Sequence, residues 1–81
     1  MSDMKALVSI VVDPERSSEV CSQLSQIEEI RKVYEVTGQY DVVIEVEVGS
    51  IEEFREILNK KILAIKGVKM TESAIVLCEW K

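Results

Sequence analysis

Histidine is absent from this 81-residue chain. With it go the commonest general base, the proton-carrying member of nucleophilic triads and the imidazole ligand of most zinc sites. The two cysteines, Cys21 and Cys78, sit far apart in apolar-periodic stretches and show no paired metal-binding spacing. They read as small core hydrophobes of a reducing compartment, not as a disulfide. Positive charge is also short: ten Lys and Arg against fifteen Asp and Glu leave a net charge of −5. Such a surface repels a phosphate backbone, and no basic stripe interleaved with aromatics offsets it, which argues against direct nucleic-acid binding. Lys60, Lys61 and Lys66 form the densest basic group and read as charges complementing a helix C-terminus. No apolar run is long enough to span a bilayer. The opening Met1-Ser2-Asp3-Met4-Lys5 lacks the basic-then-apolar order of a signal peptide. The expectation is a cytoplasmic protein that neither enters a membrane nor reads DNA itself.

With one proline and three glycines, breaks are few and each is informative. Met4 to Val12 is rich in Val, Ile and Leu and reads as a first strand. Ala6, Val8, Ile10 and Val12 share one face; Lys5, Leu7, Ser9 and Val11 share the other. Hydrophobes on both faces suggest a central strand. Asp13-Pro14 then starts a helix, as an acidic N-cap with proline at the first helical position. It runs to about Gln26 with Val20, Cys21, Leu24 and Ile27 inward. Ile30 to Thr37 is a second strand. From Tyr40 to Val48 a third alternates closely, Val42, Ile44, Val46 and Val48 against Val43, Glu45 and Glu47. Gly38 supplies the positive φ of the short connection between them. Ser50 and Glu53 make a capping box, and Ile51, Phe54, Leu58, Ile62 and Ile65 form the stripe of a second helix closed by Gly67. Val68 to Trp80 is the last strand.

The order β-α-β-β-α-β, with right-handed crossovers, closes as a ferredoxin-like α+β sandwich: a four-stranded antiparallel sheet with two helices on one face. Residues 1–81 are then a single domain. The opposite sheet face is left open, and this phasing puts Leu7, Val11, Val43, Ile75 and Leu77 on it. A bare apolar face of that kind marks an association surface, and two sheets packed back to back in a symmetric dimer would cover it. A chain this short also gains core by oligomerising.

Tyr34, Tyr40, Asp41, Glu45, Thr71, Glu72 and Ser73 are the candidates for chemistry. None has the local signature of an activated nucleophile, and carboxylates are the bases on offer. Glu45 and Glu47 lie two apart on a strand and share a face, where solvation or cross-strand pairing accounts for them. The three glycines are isolated and build no phosphate loop. The hairpin mouth fits binding better. Tyr40 offers a ring and a hydroxyl, Asp41 an anion for an ammonium group, and the amides near Gly38 a nest for a carboxylate. That set suits a zwitterion, while Asp41 equally suits a turn cap and Tyr40 a packing role.

The run Val33-Tyr34-Glu35-Val36-Thr37-Gly38-Gln39-Tyr40-Asp41, followed by Val42-Val43-Ile44-Glu45-Val46, resembles the hallmark of the Lrp/AsnC effector-binding domain, also called the RAM domain. The segment Ile65 to Leu77 is similar to the same domain's closing strand, so the likeness spans nearly the whole chain. The resemblance implies a ferredoxin-like fold that dimerises through its sheets, with dimers assembling into octameric or decameric rings and no cofactor. It implies a small amino-acid effector held between dimers, with Gly38, Gln39, Tyr40 and Asp41 in the ligand loop. It further implies that Thr71 and Ser73 of a neighbouring chain form the opposite wall, Ser73 standing where threonine is frequent. The helix-turn-helix of full-length Lrp/AsnC regulators has no counterpart here, so the chain resembles a stand-alone version that assembles with itself or with those regulators. A small dimeric α+β-barrel enzyme is the alternative, disfavoured by the missing histidine. An ACT-type amino-acid domain is another, disfavoured by Asp13-Pro14 where such domains carry glycine.

Overall fold

The computed structural model describes residues 3–81. Strand β1 (Met4–Val12) leads through a 3₁₀ turn (Pro14–Arg16) into helix α1 (Ser17–Leu24). Strands β2 (Ile30–Glu35) and β3 (Val42–Val48) follow, then helix α2 (Ile51–Ile57), a π-helical turn (Leu58–Ile62) and strand β4 (Val68–Ile75). The sheet is antiparallel with order β2-β3-β1-β4, so β1 and β3 are central. This is the ferredoxin-like sandwich that the order of elements implied.

Alternation builds the core. Ala6, Val8 and Ile10 of β1 and Val42, Ile44 and Val46 of β3 are fully buried on the helix side. Val20 and Leu24 of α1 and Phe54 and Ile57 of α2 close over them. Asp13 caps the first turn by accepting from the Glu15 amide. The Ser50 hydroxyl caps α2 by accepting from the Glu53 amide, while the Glu53 carboxylate takes the Gly49 amide at 2.7 Å. Gly67 has φ +105°, and a Cβ there would stand 2.9 Å from the Arg16 Cβ, so both backbone and space demand glycine.

Five expectations need correction. The first helix ends at Leu24, short of Gln26. Ile51 is 45% exposed, and Ile57 takes the core place instead. The burial step from Ile57 to Ile62 is the five-residue step of a π turn, closed by the Leu63 amide on the Leu58 carbonyl at 2.8 Å. Cys78 is exposed, and only Cys21, half-buried, packs on the core; desolvation pushes the Cys21 thiol up from its ordinary pKa. β4 ends at Ile75, because its partner β1 begins at Met4 and the last rung is the Val76 amide on the Lys5 carbonyl. Leu77 therefore lies beyond the sheet, 95% exposed. Finally, Ile75 pairs with Ala6 and packs on the core, so it leaves the open face to Ala74, opposite Leu7.

Candidate functional site at the β2–β3 loop

Residues 36–41 reverse the chain between β2 and β3. The Val36 amide donates to the Asp41 carbonyl at 2.9 Å and closes the loop. Gly38, φ +113°, has open space where a side chain would stand, so only the backbone direction calls for glycine here. Gln39 is exposed beside it. Asp41 stitches the loop to β1: its amide donates to the Ile10 carbonyl and its carboxylate accepts from the Val12 amide, both at 2.9 Å. The carboxylate supplies an acceptor where the β1–β3 ladder has ended at Ile10–Val42. The Asp41 carboxylate therefore ties the loop to β1 and makes no bond that caps its own turn.

Tyr40 is half-buried, and its hydroxyl donates to the Glu72 carboxylate of β4. That bond holds the Tyr40 proton and raises the phenol above its usual pKa; partial desolvation and the neighbouring negative charge add to the shift. Glu72 stood among the polar residues of interest in the sequence, but nothing in linear spacing joined it to Tyr40, from which it is 32 positions distant. The pairing comes from the sheet order, which sets the loop after β2 beside the end of β1 and β1 beside β4.

Thr71 and Ser73 take the other side of β4. They pair with Ile10 and Val8, whose side chains face the helices, whereas Glu72 pairs with Ser9 on the open face. Both nonetheless reach solvent, Thr71 half-buried and Ser73 exposed. One chain thus presents two polar half-sites, Tyr40 and its loop tied to one face of β4, and the Thr71 and Ser73 hydroxyls on the other.

The open face mixes apolar and charged groups. Leu7 is 41%, Tyr34 51% and Met70 55% exposed, with Val11 and Val43 half-buried among them. At the Lys5 corner the ammonium pairs with Glu79 at 3.1 Å and Glu45 at 3.7 Å. The Glu79 bond, then the Glu45 charge, raises the lysine pKa. Among the described residues no group of three or more His, Cys, Asp or Glu could hold a metal ion. No described helix is long and apolar enough to cross a membrane.

Comparison with known proteins agrees with this fold. The family model of the Lrp/AsnC ligand binding domain matches residues 5–81. The HTH-type transcriptional regulator FL11 of Pyrococcus abyssi is 40% identical over 74 residues, covering 91% of this chain and 48% of that protein. The structure of E. coli AsnC superposes with a TM-score of 0.93 at 26% identity, over 98% of this chain and 54% of that one. The feast or famine regulatory protein of M. tuberculosis, solved in complex with L-methionine, superposes at 0.83 with 29% identity, over 96% and 52%. This chain spans about half the length of each.

Proposed function

This chain belongs to the Lrp/AsnC ligand-binding domain family, and from that premise we propose that it is an amino-acid-sensing, oligomerising regulatory domain without catalytic activity. Its ligand is a free α-amino acid, the class to which the L-methionine of the M. tuberculosis relative belongs. Gly38, Gln39, Tyr40 and Asp41 form one wall of the site. Thr71 and Ser73 of a neighbouring copy form the other.

The observation that supports this most is the split of the polar residues across β4. Because Tyr40 is tied to Glu72 on one face and Thr71 and Ser73 lie on the other, a closed cleft needs a second chain. Copies pair first through the open face, around Leu7, Val11 and Val43, and the pairs then meet in a ring, octameric or decameric, where the two walls face each other. A ligand bound between pairs stabilises whichever assembly forms its cleft, and by reciprocity the assembly raises ligand affinity. The domain acts in the cytoplasm on its own assembly or on that of full-length Lrp/AsnC regulators, and with its net charge of −5 it makes no DNA contact of its own.

Isothermal titration against the standard amino acids, L-methionine included, with light scattering in parallel, tests the reading. One or a few amino acids should bind and shift the mass. Heatless titrations and an unchanged mass at millimolar ligand would overturn it.

A further inference from the structure

Beyond Val76 the chain leaves the sheet as a short arm, and the arm is not left to wander. Lys5 alternates with Ala6 on β1 and opposes Glu47, so its side chain stands on the open face. Its ammonium holds Glu45 of that same face and Glu79 of the arm together. The arm is thereby kept on the open-face side of the sheet. Its two large apolar residues are covered by nothing in their own chain: Leu77 is 95% and Trp80 93% exposed.

The face beside which the arm lies is crowded with charge, and its one aromatic residue among the described strands is Tyr34. Lys5, Lys32, Glu45, Glu47 and Glu72 share it with Leu7, Val11, Val43, Tyr34 and Met70. Interface centres are depleted of charge and enriched in Trp, Tyr and Met, and a few aromatic anchors carry most of the energy. Burying one tryptophan removes about 150–250 Å² from water. Two arms per pair therefore add a large share of the roughly 1,600 Å² that a standard interface buries.

We infer that the C-terminal arm, residues 76–81, docks on the open sheet face of a second copy of this chain, with Leu77 and Trp80 as its anchors. The inference rests on the face-to-face pairing proposed above and adds the arm as the part that makes the pair stable.

Trp80 is the only tryptophan, so intrinsic fluorescence reports on the arm alone. The intact chain is followed through a dilution series while sedimentation gives its mass. As pairs form, emission should move to the blue and acrylamide quenching should fall. Trp80→Ser, at a site too exposed to disturb folding, should weaken pairing by about tenfold or more. A pair whose Trp80 stays freely quenched, or an unchanged pairing constant in Trp80→Ser, overturns the arm and leaves the sheet pairing intact. Protection that persists in the dilute monomer places the arm on its own chain and overturns it as well. A chain monomeric at every concentration overturns both the arm and the face-to-face pairing.

Discussion

Tyr40 and Glu72 meet across the end of the sheet, the phenol hydroxyl donating to the carboxylate and joining the β2–β3 loop to the edge strand β4. The bond is solvent-accessible, so it positions the loop more than it stabilises the fold. Tyr40→Phe and Glu72→Gln should each leave the thermal midpoint nearly unchanged while weakening amino-acid binding severalfold in calorimetric titration. The pH response follows in sign. Tyr40 has a raised pKa in the folded chain, so its contribution is complete below the ordinary tyrosine value of about 10 and is lost as pH rises through the folded value. An ultraviolet absorbance titration in a Tyr34→Phe background should show Tyr40 ionising late. Glu72→Gln should bring it back toward the ordinary range; a titration unmoved by Glu72→Gln would show that the carboxylate is not the cause.

Asp41 looks from the sequence like a ligand anion, yet its carboxylate already accepts the Val12 amide at 2.9 Å. Asp41→Ala should therefore cost about 1–2 kcal/mol of folding stability in urea melts, because it strands a half-buried donor. Asp41→Asn keeps an acceptor and should cost less. Equal losses in the two variants would mean that charge, and not the hydrogen bond, is what the loop needs.

The sequence made the fold readable where alternation and caps are strong. From Ala6 to Val12 and from Val42 to Val48 every second residue is a buried Val, Ile or Ala, and both strands lie within two residues of where that alternation puts them. The closing strand was harder for a physical reason. A register shift opposite Val11 and Val12 sets Met70 against Val11 and Val68 against Val12. Met70 thus stands on the open face while Val68 packs on the core. Alternation broken this way cannot be read from the run Val68 to Ile75, and an unbroken period of two puts Ile75 on the wrong side. In the second helix the π turn spaces the buried Ile57 and Ile62 five residues apart, so Ile57 joins the core unforeseen while Leu58, from the expected stripe, packs partly buried against it. Of the β2–β3 loop, the sequence showed the residues but not the bonds: Asp41 to Val12 and Tyr40 to Glu72 both depend on strand order.

The two positive-φ glycines offer a matched comparison. At Gly38 a Cβ meets nothing within 4 Å, so Gly38→Ala should cost only the backbone penalty of about 1–2 kcal/mol. At Gly67 the Cβ would also meet the Arg16 Cβ at 2.9 Å and the Val20 Cγ2 at 3.1 Å, both held by the helical segment. Gly67→Ala should cost roughly 2–4 kcal/mol. Similar losses at the two sites, measured by denaturant unfolding, would show that the 3₁₀ turn yields easily and that packing there is loose.

Leu7 and Leu24 separate folding from assembly. Leu24 is fully buried between α1 and the sheet, and Leu24→Ala should cost about 2–5 kcal/mol. Leu7, on the same sheet but 41% exposed on the open face, contributes little to the single chain. Leu7→Glu sets a third carboxylate beside Glu45 and Glu47, with Lys5 already shared between Glu45 and Glu79. Glu47 is held by Arg31 at 2.8 Å, so pairing two such faces would bury the new carboxylate of each with no cation of its own, which is costly whatever the rest of the interface contributes. Leu7→Glu should therefore keep its circular dichroism spectrum and its melting cooperativity while sedimenting as a monomer. Because the proposed ligand cleft needs assembled chains, the same variant should lose amino-acid binding, whereas Leu24→Ala at a temperature where it remains folded should retain it. A Leu7→Glu chain that still pairs would place the interface on another surface. One that is monomeric yet binds ligand normally would show that the cleft is complete within a single copy.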